Sequence, residues 1–240
     1  MGVENMKAVI QAGGKGTRLR PYTLVLPKPL MPVGGVPVIE ILIKWLRRNG
    51  TREAYITTGH LGHLIRALCG DGSQWAVDIK YTEEPEPLGT VGALTLLKDE
   101  LDQPFLMLNG DLITDLNLND FTSFHKSHDG LLTIGVTKKK VKIDLGTLEM
   151  ENQIVKAFVE KPVLQYDVSM GIYCMEPEII NLIPKGVPFG FDDLMHSMLG
   201  RKLPVYAYQH EGMWLDIGRP EDFQKAQEYF KETEINMLGI

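Results

Sequence analysis

Short apolar runs alternate with stretches of helical periodicity along most of this chain, and that alternation limits the folds open to it. Strands are expected over 7–12, 54–58, 77–81, 104–108, 131–137 and 205–208. Helices are expected from Pro37 to Gly50 and over 61–68, 90–97, 116–126, 177–182 and 192–199, with a last one opened by Pro220. In the first of these helices Val38, Leu42 and Trp45 share a face, with Ile39, Ile43 and Leu46 beside them. Strands separated by helices pair in parallel, because a parallel connection needs a crossover of about a dozen residues or more. The first half therefore predicts a parallel sheet with helices on both faces. Residues 138–175 read as several short strands ending at 170–174, which adds an antiparallel or mixed portion. The expected fold class is α/β, one domain over 1–240, with halves 1–137 and 138–240 sharing one sheet.

The 240 residues include 25 Lys+Arg against 31 Asp+Glu, a net charge of −6, and 44% are hydrophobic. That balance fits a globular chain and argues against one that coats nucleic acid or an anionic membrane. The triplet Lys138-Lys139-Lys140 reads as a solvated loop. No apolar run approaches the 18 residues of a membrane span, and the first residues lack the charged start and apolar core of a signal peptide. Cys69 and Cys174 form no CxxC pair, which favours reduced thiols over disulfides or zinc. His60 and His63 lie three apart without a third ligand and read as surface residues. The expectation is a cytoplasmic protein without nucleic-acid or membrane partners, and a homo-oligomer stays open.

The first strand runs into Gly13-Gly14-Lys15-Gly16-Thr17-Arg18, the start of a loop rich in Gly, Pro and basic residues that extends to Pro32. Glycines let the backbone turn sharply and approach a phosphate, and successive N–H groups form an anion-binding nest. Arg18 adds a bidentate donor, and Lys28 adds a point charge between two prolines. A dinucleotide fingerprint fails, because Leu19 stands where its third glycine belongs, and no GxxxxGK[ST] string exists. On its own the loop fits a phosphate cradle and a flexible solvated turn equally well. Two acids stand out further on. Asp111 follows Gly110 just past an apolar strand, where open α/β sheets place ligand chemistry; a surface turn is the plain alternative. Asp216 lies inside the apolar stretch Trp214-Leu215-Asp216-Ile217-Gly218, where a carboxylate is costly unless paired or metal-bound.

Taken together, Gly13-Gly14-x-Gly16-Thr17-Arg18-Leu19-x-Pro21 and Pro27-Lys28-Pro29-Leu30 resemble the signature of the sugar-nucleotide pyrophosphorylases, and most closely the mannose-1-phosphate guanylyltransferase-like branch. The resemblance recurs at Glu84-Pro85-x-x-Leu88-Gly89-Thr90, Asn109-Gly110-Asp111, Gly146, Glu160-Lys161-Pro162, Gly171-Ile172-Tyr173 and Trp214–Gly218. It implies a Rossmann-like three-layer α/β/α fold of the nucleotide-diphospho-sugar transferase type. The first half would then bind nucleotide and the second half sugar phosphate. One departure is Gln11, where the family usually has Leu.

The resemblance implies that Ala12, Gly13, Gly14, Gly16, Thr17 and Arg18 hold the triphosphate, with Glu84 and Gly89 at the base. Glu84 as an ionised acceptor suits guanine, which presents adjacent N–H donors, better than uracil or thymine. Arg18, Lys28, Asp111 and Lys161 would be the catalytic groups, and Asp111 with Asp216 would hold Mg²⁺. Gly146, Glu160, Lys161 and Gly171 would bind the sugar phosphate. The implied activity joins a nucleoside triphosphate, GTP favoured, to mannose 1-phosphate or a related hexose or heptose 1-phosphate. Two alternatives remain: a uridylyl-, thymidylyl- or cytidylyltransferase acting on glucose 1-phosphate, and a non-catalytic regulatory subunit. A chain ending at Ile240 is expected to lack the C-terminal β-helix of bifunctional relatives.

Overall fold

The computed structural model describes residues 6–84 and 86–232. Pro85 of the Glu84–Thr90 string and residues 1–5, read above for a leader, lie outside the described residues. In chain order the strands are β1 (Ala8–Ala12), β2 (Pro32–Val33), β3 (Val36–Pro37), β4 (Glu53–Thr58), β5 (Asp78–Glu83), β6 (Phe105–Asn109), β7 (Leu112–Thr114), β8 (Leu132–Lys142), β9 (Thr147–Glu151), β10 (Ile154–Val159), β11 (Val163–Met175), β12 (Val205–Gln209) and β13 (Trp214–Asp216). The α-helices are α1 (Val38–Arg48), α2 (Gly62–Cys69), α3 (Gly89–Gly92), α4 (Leu118–Lys126), α5 (Phe191–Gly200) and α6 (Pro220–Glu232).

The central sheet has seven strands in the order β12-β8-β11-β6-β1-β4-β5. Every neighbouring pair is parallel except the two made by β11, which runs antiparallel to β6 and β8. The mixed, mostly parallel sheet is as expected. Alternate side chains of β1 serve opposite faces, as the two-residue strand period requires. Ala8, Ile10 and Ala12 join a core with Ile39, Leu42 and Leu46 of α1 and Phe121 of α4. Val9 joins the other core, with Leu94, Leu97, Leu194 and Met198. A third cluster packs α6 onto α1 through Ile41, Ala226 and Phe230.

Three expectations need correction. The lysine triplet is not a loop: Lys138–Lys140 sit inside β8, paired in register with Gln165–Asp167 of β11. The stretch 138–175 is accordingly built on the long β8–β11 pair, capped by the β9–β10 hairpin, rather than on several short strands. The loop after β1 folds into 3₁₀ turns at Thr17–Leu19, Tyr22–Leu24 and Lys28–Leu30. His60, expected at the surface, is half-buried, with Nε2 3.3 Å from the Thr23 carbonyl oxygen, whereas His63 is exposed as expected. No described helix is long and apolar enough to cross a membrane.

Candidate active site

Four parallel strands end at one rim, and the loops leaving β1, β5 and β6 surround a cavity of about 420 Å³ there. Open α/β sheets bind ligands at this carboxyl edge. Every residue expected to hold nucleotide lines the cavity: Ala12, Gly13, Gly14, Gly16, Thr17 and Arg18 on one side, Glu84 and Gly89 on the other. Lys28 and Asp111 line it as well.

Local geometry explains the glycine loop. Gly16 has φ +57°, and a Cβ there would lie 2.9 Å from the Thr23 methyl group. The Thr23 hydroxyl donates to the Gly16 carbonyl at 2.8 Å, locking the turn onto the segment that carries Lys28. Lys28 itself opens the 3₁₀ turn Lys28–Leu30, anchored by buried Pro29 and Leu30.

The two acids are brought together by pairing. β13 runs antiparallel to β7 with Asp216 opposite Leu112, one residue beyond Asp111. The Ile217 N–H donates to the Asp111 carbonyl at 2.9 Å. Gly110 N–H donates to the Gln11 carbonyl at 2.9 Å, and a Cβ on Gly110 would stand 2.7 Å from that oxygen, so only glycine lets the β6–β7 turn approach β1 so closely. The Lys28 ammonium makes an ion pair with Asp111 and lies 3.8 Å from Asp216 Oδ1. Burial pushes the Lys28 amine down to about 8, Asp216 and Asp222 oppose that fall, and Arg18 adds to it. A Cβ on Gly218 would lie 3.1 Å from the Asp216 carboxylate and 3.4 Å from Arg18 Nη2, so both groups border the same glycine.

On the far wall, Glu84 Oε2 accepts from the Leu88 N–H at 2.8 Å, while Oε1 faces the Gly13 backbone. Burial raises the Glu84 pKa, and the Leu88 N–H works against that rise. Gln11 lines the cavity with Oε1 held by the Thr57 hydroxyl at 2.8 Å, and its Nε2 is buried without a partner among the described residues.

The second-half residues are placed differently. Gly171, at φ +72°, packs against Asn109, which lines the cavity. Gly146, Glu160 and Lys161 gather instead on the exposed β9–β10 arm, where Lys161 Nζ lies 3.9 Å from Glu160 Oε1 and both side chains are more than half exposed. They do not line the cavity. Sequence reasoning gave no separate role to Asn109 or Thr90, which do line it; both sat inside strings already singled out.

The donor set suits a small divalent cation. Two carboxylates converge on one positive charge, and Mg²⁺ is commonly held by one or two carboxylates plus phosphate oxygens. Among the described residues no group of three or more His, Cys, Asp or Glu side chains forms a metal cage.

Comparison with known proteins points the same way. A family model described as nucleotidyl transferase matches residues 7–233. The chain is 34% identical over 227 residues to a mannose-1-phosphate guanyltransferase of Candida albicans, covering 91% of this chain and 62% of that protein. It is 33% identical over 256 residues to a UTP–glucose-1-phosphate uridylyltransferase of Synechocystis, covering 98% of this chain and 66% of that protein. It thus spans under two thirds of the length of these curated relatives. Among solved structures, HddC from Yersinia pseudotuberculosis complexed with GMP-PN superposes with a TM-score of 0.73 at 26% identity, over 94% of this chain and 99% of that one.

Proposed function

From the premise that the chain belongs to the nucleotidyl transferase family, we propose that it joins a nucleoside triphosphate, GTP by preference, to a sugar 1-phosphate. The products are a nucleoside-diphosphate sugar and pyrophosphate. The observation that carries this reading is the convergence of the glycine loop, Arg18, Lys28, Asp111 and Asp216 on one rim of the sheet.

An oxygen of the sugar 1-phosphate attacks the α-phosphorus in line. A new P–O bond forms, the bond between the α-phosphorus and its bridging oxygen breaks, and that oxygen leaves with its electron pair as pyrophosphate. The nucleophile has a second pKa near 6, so it is already largely dianionic at neutral pH and needs no general base. The task left to the protein is to bring two anions together and neutralise charge as it moves. The glycine-loop N–H groups and Arg18 hold the triphosphate, and Lys28 sits at the reacting phosphate. Bound Mg²⁺, held by Asp111 and Asp216, would supply positive charge against the phosphate oxygens.

Guanine is supported by the Glu84 carboxylate at the far wall, whose Oε1 is left to accept from a base while Oε2 holds Leu88. The guanyltransferase relative and the GMP-PN complex support the same choice. The sugar phosphate reaches the rim from the side of the second half, through Gly171 and the arm bearing Gly146, Glu160 and Lys161. Buried Cys69 and Cys174 are free thiols, in keeping with a cytoplasmic enzyme.

A matrix of four nucleoside triphosphates against several sugar 1-phosphates, scored by pyrophosphate release, tests the proposal. GTP with one sugar 1-phosphate is expected to dominate. Release with no pair at all, under conditions where the protein is folded, would refute it.

A further inference from the structure

Gln11 departs from the family's usual leucine on β1, an interior strand of the sheet. Its neighbours in register are Thr57 on β4 and Asn109 on β6. By strand alternation its side chain points to the same face as Val9. Val9 packs there in one core with Val91 and Leu94, from the segment that follows Gly89 and Thr90. That face is therefore the one that carries the wall assigned to the base.

The Gln11 amide is held at one end. The Thr57 hydroxyl is fully buried and donates to Gln11 Oε1 at 2.8 Å, while its other acceptor, the Ile10 carbonyl, is 3.5 Å away. That bond assigns the amide oxygen to Thr57 and leaves the NH2 for another partner. Nε2 is buried with no partner among the described residues, on a side chain of the nucleotide cavity. A buried donor without an acceptor is costly, and an apolar leucine would avoid that cost. The terminal torsion of glutamine is soft, so the NH2 can turn to meet a bound acceptor with little strain.

What faces Gln11 narrows the choice of acceptor. Glu84 Oε1 lies against Gly13, two residues beyond Gln11, in the same cavity. A donor and an acceptor on one wall match a base edge with a carbonyl beside an N–H. Guanine presents that edge through O6 and N1–H, with the 2-amino group next to it, whereas adenine presents an amino group in place of O6. We propose that Gln11 Nε2 donates to the 6-oxo group of a bound guanine while Glu84 accepts from its N–H groups, which makes Gln11 a specificity-determining residue for the base. This inference rests on the proposed function and extends it from a favoured nucleotide to the atom that is read.

Dissociation constants measured by calorimetry on the full chain with Mg²⁺ test it without requiring turnover. The probes are GTP, 6-thio-GTP, in which sulfur, a poor acceptor, replaces O6, and ITP, which keeps O6 and lacks the 2-amino group. The unaltered chain is expected to bind GTP about tenfold more tightly than 6-thio-GTP. Gln11→Leu should reduce that ratio to about twofold or less and leave the GTP-to-ITP ratio within about twofold of its original value. Gln11→Met, closer in length, should do the same, and melting temperatures check that both variants are folded. The ratio in the unaltered chain stands as a test even if neither variant folds. A merely structural role would weaken all three nucleotides together and leave both ratios alone, which overturns the inference. Equal binding of GTP and 6-thio-GTP by the unaltered chain, or tighter binding of ATP, CTP or UTP than of GTP, overturns it too. The transferase reading survives these results, because pyrophosphate release is measured separately. No pyrophosphate from any nucleotide and sugar 1-phosphate, with GTP bound as expected, is instead the failure of the transferase reading.

Discussion

Lys28 and Asp111 carry the account at the scale of single residues. Their charges are opposite, both are largely buried at 15% and 14% side-chain exposure, and they touch. Removing one leaves the other buried and uncompensated. Asp111→Asn keeps the shape and removes the charge, and is expected to lower kcat by about two orders of magnitude or more, as loss of a preorganised electrostatic group does. A melting temperature within a few degrees of the unaltered chain, measured alongside, separates this from unfolding. These residues were legible in the sequence because the fixed positions around them are so many. The ion pair was not legible, since it depends on how the Lys28–Leu30 turn packs against the β6–β7 turn at Gly110 and Asp111, far away in sequence. The cysteines give an independent check. Burial pushes both thiols up to about 12, so neither should react with a thiol reagent in the native protein at pH 8, whereas both should react in denaturant.

Among the elements, α4 shows how little the sequence leaves to chance where capping is explicit. The Asn117 side chain accepts from the N–H groups of Asn119 and Asp120, so the helix starts at Leu118, two residues later than periodicity alone suggests. Asn117→Ala should cost about 1 kcal/mol in chemical denaturation. The same helix buries His125 between the Thr133 hydroxyl, 2.8 Å from Nδ1, and Glu176, 3.2 Å from Nε2. Burial lowers the pKa of His125 below its ordinary 6.5, with Glu176 opposing. The unfolded chain therefore binds the proton more readily, and the stability tied to this histidine is present above pH 6.5 and lost as pH falls below it. His125→Gln should flatten that part of the stability–pH curve between pH 6.5 and 5. By contrast, β8 was misread at its far end. Lys138–Lys142 are exposed, so no apolar alternation marks them, and what makes them a strand is pairing with β11, which local sequence does not report.

For the whole molecule, the two halves share more than a sheet. β8 runs across the boundary and β11 comes from the second half, yet β11 pairs directly with β6, and both cores run across that junction. Urea unfolding followed by far-UV circular dichroism and by tryptophan fluorescence is expected to give coincident single transitions. Separate transitions would mark the halves as independent units. The parallel half was legible because its strands are short apolar runs bounded by helices. An antiparallel or mixed addition was legible in the strand-rich second half, but which strand reverses was not, because direction is set by connections and not by composition. The central claim is that Asp111 and Asp216 hold one cation against a triphosphate seated on the Gly13–Gly16 backbone. Anomalous diffraction from crystals grown with Mn²⁺ and a non-hydrolysable GTP analogue tests it most directly. One peak bridging both carboxylates and the phosphate oxygens is the predicted result. A peak elsewhere, with the two carboxylates apart and the nucleotide off the glycine loop, would contradict the account.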